Sequence, residues 1–161
     1  MVYLIKDIIS YLENLAPTAY QESYDNAGLI VGDPMTEVKG IICSLDVTED
    51  VVKEAKEKNC NLIVAHHPIV FRGLKSLTGK NYIERTVINA IKNDIAIYAI
   101  HTNLDAVSQG VNRKIAEKIG LLNPKILAPK KGIISKLSTF IPKTNVDKVL
   151  EDLFAAGAGE I

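Results

Sequence analysis

The sequence predicts an α/β fold, a mostly parallel sheet flanked by helices. Three apolar runs of strand length carry the prediction, at residues 41–45, 62–65 and 95–100. Each is followed by a segment with apolar residues at helical spacing. Strands alternating with helices pair in parallel, because each crossover helix returns the chain to the same end of the sheet. Runs without polar alternation suit strands covered on both faces.

The elements follow in order. Ile5, Ile8, Ile9, Leu12 and Leu15 fall on one face of an opening helix that Pro17 ends. The polar segment Tyr24-Asp25-Asn26-Ala27-Gly28 leads into a short strand, Leu29-Ile30-Val31, stopped by Gly32-Asp33-Pro34. After the run at 41–45, which reads as a buried strand, Thr48 suits a helix cap. Glu49 and Asp50 suit the first turn, and Val51, Val52 and Ala55 the inner face. The run at 62–65 leads to a helix carrying Ile83, Val87, Ile88 and Ile91 on one face. The run at 95–100 leads to another, carrying Val111, Ile115 and Ile119 and closed by Gly120.

Residues 124–132, with Pro124, Pro129, Gly132 and several lysines, read as a connection. Residues 136–141 read as a strand. A helix follows from Thr144 through Val146, Val149, Leu150, Leu153 and Phe154 to Gly157-Ala158-Gly159. One strand and one helix cannot bury their apolar faces alone, so this stretch reads as the opening of a second domain.

Composition narrows the function classes. The 161 residues carry 19 Lys+Arg and 19 Asp+Glu, a formal net charge of zero, which offers no basic field for non-specific nucleic-acid binding. No apolar run reaches membrane-spanning length, and the start has no basic segment leading into an apolar core, so a cytoplasmic location is expected. Cys43 and Cys60 lie in or beside apolar runs without a neighbouring histidine, and read as reduced, buried thiols. No Gly-x-x-x-x-Gly-Lys phosphate loop and no Gly-x-Ser-x-Gly elbow is present.

In an open parallel sheet, ligands bind outside the carboxyl ends of the strands. The three main runs end in Asp46 and Thr48, in His66 and His67, and in His101 and Asp105. All three histidines of the chain lie in these clusters. Imidazole and carboxylate together suit zinc, iron or manganese. Pro68 biases His67 toward an extended conformation, which would point the adjacent imidazoles apart and toward different ions of a pair. Asp46 also reads simply as a helix-start residue, and Asp25-Asn26-Ala27-Gly28 simply as a turn.

Four motifs resemble the signatures of the NIF-three-like family, whose members are also labelled GTP cyclohydrolase one type two homologs. They are Tyr24-Asp25-Asn26-Ala27-Gly28-Leu29, Leu45-Asp46-Val47-Thr48, His66-His67-Pro68-Ile69-Val70-Phe71 and His101-Thr102-Asn103-Leu104-Asp105. The resemblance implies a two-lobed fold with a dimetal centre of two divalent ions between the lobes. It implies that His66, His67 and Asp105 ligate metal. His101, Asp46, Asp25 and Asn103 then become candidates to orient ligands or water, or to meet substrate. In the family a His-x-x-x-Glu motif near the carboxyl end completes the ligand set, and here no histidine follows His101. Residues 1–128 are accordingly expected to form the amino-terminal lobe. Residues 129–161 are expected to form the incomplete start of a ferredoxin-like insert of the PII or CutA kind. Hexameric rings are implied by the same resemblance.

The expected function is a metal-dependent hydrolase acting on a nucleotide or related small molecule. The alternative is a non-catalytic metal-binding scaffold that regulates protein partners.

Overall fold

A computed structural model describes residues 2–128 and 136–159. Two compact units emerge, Met1–Pro124 and Lys125–Ile161. In the first unit the elements run α1 (Ile5–Leu15), β1 (Gly28–Val31), β2 (Ile41–Ser44), α2 (Glu49–Glu57), β3 (Leu62–Ala65), α3 (Tyr82–Lys92), β4 (Ala96–Ala99), α4 (Thr102–Ala106) and α5 (Val111–Lys118). The sheet order is β1-β4-β3-β2. β2, β3 and β4 pair in parallel, and β1 pairs antiparallel with β4, so the sheet is mixed with a parallel core.

The central strands explain their composition. Along β3 and β4, alternate side chains enter different cores. Ile63, Ala65 and Ile97 pack with Val52, Ala55, Val87 and Ala90 of α2 and α3. Leu62, Ala96 and Tyr98 pack with Ile5 and Ala16 on the α1 side. Burying each of the large aliphatic side chains contributes about 1.5–3 kcal/mol, which is why both strands are apolar throughout.

β2 departs from the buried-strand expectation. It is an edge strand, and Ile41 and Cys43 are exposed on its outward face. Cys43 is therefore a free, exposed thiol, while Cys60 is free and half-buried. The stripe on α5 is also corrected: Ile115 and Ile119 are exposed and Ala116 is the buried residue. Thr48 does cap α2, accepting from the Val51 amide.

In the second unit, α6 (Val146–Ala155) follows a single 3-10 turn at Lys143–Asn145. The strand expected at 136–141 is not formed, because no described segment pairs with it and an unpaired strand leaves its backbone groups to water. Leu137, Phe140, Leu150 and Phe154 are exposed. Part of the expected connection at 124–132 lies outside the described residues, as do Glu160 and Ile161. No described helix is long and apolar enough to cross a membrane.

Candidate metal centre

Strand register brings the site together. Ser44 lies opposite Ala65, and Ala65 opposite Ala99, so the parallel strands end at one level. Gly28 of antiparallel β1 also lies opposite Ala99, which delivers the segment before it to the same edge. Asp25, Asp46, His66, His67 and His101 therefore come from segments that leave or enter the sheet at one place, and Asp105 from the short helix α4 that follows β4.

His66 and His67 stand at a bend just past β3, where their amides donate to the Ser44 and Leu45 carbonyls at 3.1 and 2.9 Å. Because the extended conformation has ended, the adjacent rings do not diverge as expected. Their centroids are 5.0 Å apart. The His101 ring stands 5.2 Å from His66 and 5.5 Å from His67. One ring nitrogen of each lies within 4.8 Å of those of the other two.

Each ring is held by the same kind of contact. His66 Nδ1 meets the Ile100 carbonyl at 2.9 Å, His67 Nδ1 meets Asp46 Oδ1 at 2.7 Å, and His101 Nδ1 meets Asp25 Oδ1 at 2.8 Å. A carbonyl or carboxylate oxygen can only accept, so the neutral form of each ring that satisfies these contacts carries its proton on Nδ1. Nε2 is left with its lone pair in each. Metal-binding histidines are oriented in this way, with the far ring nitrogen donating to an oxygen. Three imidazole donors beside carboxylates can hold a divalent ion of the zinc, iron or manganese kind.

Asp25 is the most constrained carboxylate of the group, with no side-chain exposure. Besides His101, it accepts from the Asn26 amide at 2.7 Å, the Thr102 amide at 3.1 Å and the Thr102 hydroxyl. Burial pushes its pKa up, but the hydrogen bonds from His101, Thr102 and Asn26 outweigh burial and hold it below the ordinary carboxylate value.

Asp105 lies on α4 rather than in a loop, half-exposed, with Oδ1 3.8 Å from His66 Nε2. Asp46 is exposed and touches the cluster through His67. Asn103 is wholly buried. Its side chain accepts from the His101 amide at 2.9 Å and donates to the Ala16 carbonyl at 2.7 Å, so it holds the His101 backbone against the end of α1 and faces no solvent. Two participants were not anticipated from sequence, Thr102 and the Ile100 carbonyl. Thr102 lies inside the His-Thr-Asn-Leu-Asp motif, which was the available signal. Nothing local marks Ile100.

Fold and site together define an α/β protein with a histidine-rich candidate metal centre at the carboxyl ends of its parallel strands. The chain belongs to the Duf34/NIF3 (NGG1p interacting factor 3) family, whose model matches residues 3–158. It is 38% identical over 153 residues to the GTP cyclohydrolase 1 type 2 homolog of Staphylococcus epidermidis, covering 95% of this chain and 42% of that protein. The Staphylococcus aureus protein of the same name is also 38% identical, over 97% of this chain and 42% of its own length. Among solved structures, a Bacillus cereus protein related to NIF3 shares 36% identity with a TM-score of 0.77, over 99% of this chain and 45% of that one. Reduced HcgD from Methanocaldococcus jannaschii shares 34% identity with a TM-score of 0.72, over 80% of this chain and 51% of that one. The chain thus spans less than half the length of the curated relatives it matches.

Proposed function

We propose that this chain supplies the histidine-rich part of a two-metal centre that hydrolyses a nucleotide or related small molecule. The observation that carries the reading is the shared tautomer of His66, His67 and His101, each with Nδ1 on an oxygen and Nε2 free to donate a lone pair. The names of the curated relatives point toward a nucleotide substrate. Bound divalent ions would acidify water and polarise the bond under attack.

The chain's own residues have defined tasks. His66, His67 and His101 provide nitrogen donors, and Asp105 provides an oxygen within reach of His66. Asp46 and Asp25 fix two of the rings and lend them basicity. On this reading the three imidazoles supply donors for one ion, and a second ion would rely on Asp105 and on further ligands.

Calorimetric titration of the chelator-treated chain with zinc or manganese tests the reading. One tight ion per chain is expected, lost on replacing His66 or His67 by Ala. Absence of saturable binding would overturn it. Turnover of guanosine triphosphate with added manganese, iron or zinc, assayed on a full-length relative beside this chain, separates a hydrolase from a metal-binding scaffold.

A further inference from the structure

Two exposed aromatic rings stand beside the histidine cluster. The Phe71 ring approaches His101 edge-on, with centroids 6.4 Å apart and planes at 82°. Tyr24 lies 6.3 Å from Phe71 at a tilt of 51°. They are 64% and 45% exposed for Tyr24 and Phe71 respectively, and this chain exposes many other apolar side chains. What singles these two out is position. Tyr24 precedes Asp25 and the Phe71 ring approaches His101, so each ring flanks one member of the hydrogen-bonded pair that orients the His101 ring.

The two loops that bear the rings are tied together. Asn26 Nδ2 donates to the Val70 carbonyl at 2.6 Å, one residue before Phe71 and two after Tyr24. The far end of the second loop is fixed as well. The buried Glu84 carboxylate accepts from the Thr78, Gly79 and Lys80 amides at 2.9, 3.0 and 3.3 Å. The aromatic pair is therefore anchored on both sides and does not need to be ordered when a ligand arrives. Beside Phe71, Arg72 and Lys75 are exposed cations that form no ion pair among the described residues.

We propose that Tyr24 and Phe71 form an aromatic rim that receives a planar heteroaromatic ring, such as a nucleobase, while the ligand's polar end reaches toward the histidine cluster. An aromatic face offers such a ring a stacking partner without reading its hydrogen-bonding edge. An exposed apolar rim beside charged and metal-binding groups suits a ligand that is itself flat and apolar at one end and anionic at the other. The unpaired Arg72 and Lys75 favour the anionic end. This deepens the hydrolase reading by naming the feature of the substrate that the protein grips, and rests on that reading only for the ligand's polar end.

The test compares guanosine monophosphate with ribose monophosphate, which keeps the phosphate and lacks the ring. Affinities are measured by calorimetry on the intact chain with zinc added, for the wild type and for Phe71→Ala, Phe71→Leu and Phe71→Trp. The wild type is expected to prefer guanosine monophosphate by about five- to a hundredfold, the range one stacked base supplies. Phe71→Ala and Phe71→Leu should erase most of the preference and leave ribose monophosphate binding within about twofold. Phe71→Trp should keep it, because the π-face is retained. No preference in the wild type, no binding of guanosine monophosphate, or an equal preference in Phe71→Leu overturns the proposal. Zinc affinity, measured on the same variants, should not change. Loss of zinc binding in the wild type with the Phe71-dependent preference intact would sink the metal reading and leave the rim standing.

Discussion

Asp25 Oδ1 and His101 Nδ1 meet at 2.8 Å across 76 residues of chain. The carboxylate lies on the segment before β1 and the ring just past β4, so the contact exists only because β1 pairs antiparallel with β4. Replacing Asp25 by Ala strands donors of His101, Thr102 and Asn26. The expected cost is about 1–3 kcal/mol in chemical denaturation. Zinc affinity should also fall about 10–100-fold, because the His101 tautomer is no longer fixed. Unchanged zinc affinity in a folded Asp25→Ala variant would remove His101 from the ligand set.

Asp105 behaves differently because it is half-exposed and, among the described residues, its carboxylate approaches only His66, at 3.8 Å. Asp105→Ala should lower zinc content while shifting stability by less than about 0.5 kcal/mol, the usual range for surface positions. The Asn112 side chain bonds the Asp105 backbone carbonyl, and this contact survives the substitution. A large drop in melting temperature with full zinc content would assign Asp105 to structure.

Glu84 should make stability fall in acid. Hydrogen bonds from Thr78 and Lys80 outweigh burial and lower its pKa from 4.5 to about 2. A depressed folded-state pKa gives stability that is complete above the unfolded value and lost as pH falls through the folded one. The melting temperature should therefore decline between pH 4.5 and about 2, and Glu84→Gln should flatten that part of the profile. Equal acid slopes for the two proteins would show that the carboxylate does not hold the loop.

Tyr98 is fully buried, and its hydroxyl has no hydrogen-bond partner among the described residues. Burial pushes its pKa up to about 12, with the Glu13 charge adding to the effect. Tyr98→Phe removes a desolvated polar group and keeps the ring. Stability should be unchanged or higher, against the loss of about 1 kcal/mol typical of substitutions. A loss of that size in thermal unfolding would mean the hydroxyl is paired.

Much of this was legible in the primary structure because the relevant physics is local. The apolar runs at 41–45, 62–65 and 95–100 marked the parallel strands, and the polar residues that follow them marked the site's edge. What escaped was set by pairing between distant segments. Leu29-Ile30-Val31 has the same composition whether it pairs parallel or antiparallel, so the direction of β1 was hidden, and with it the partnership of Asp25 and His101. The exposure of Cys43 follows from β2 being an edge strand, a property of sheet order. Residues 136–141 have strand composition, but a ladder needs a neighbour that composition does not supply. The convergence of His66 and His67 turned on where β3 ends, which apolar spacing fixes only to within a residue or two.

None of the three imidazoles is oriented by a near neighbour along the chain. His67 depends on a residue 21 positions away, His66 on one 34 away and His101 on one 76 away. In the unfolded chain these rings exchange tautomers and have no shared socket. The centre is therefore expected to form late in folding, after the parallel strands have found register and β1 has closed against β4. An ion is then expected to meet a finished socket rather than to nucleate the fold. Its signature should be slower unfolding at unchanged refolding rate, the behaviour of a contact absent from the transition state.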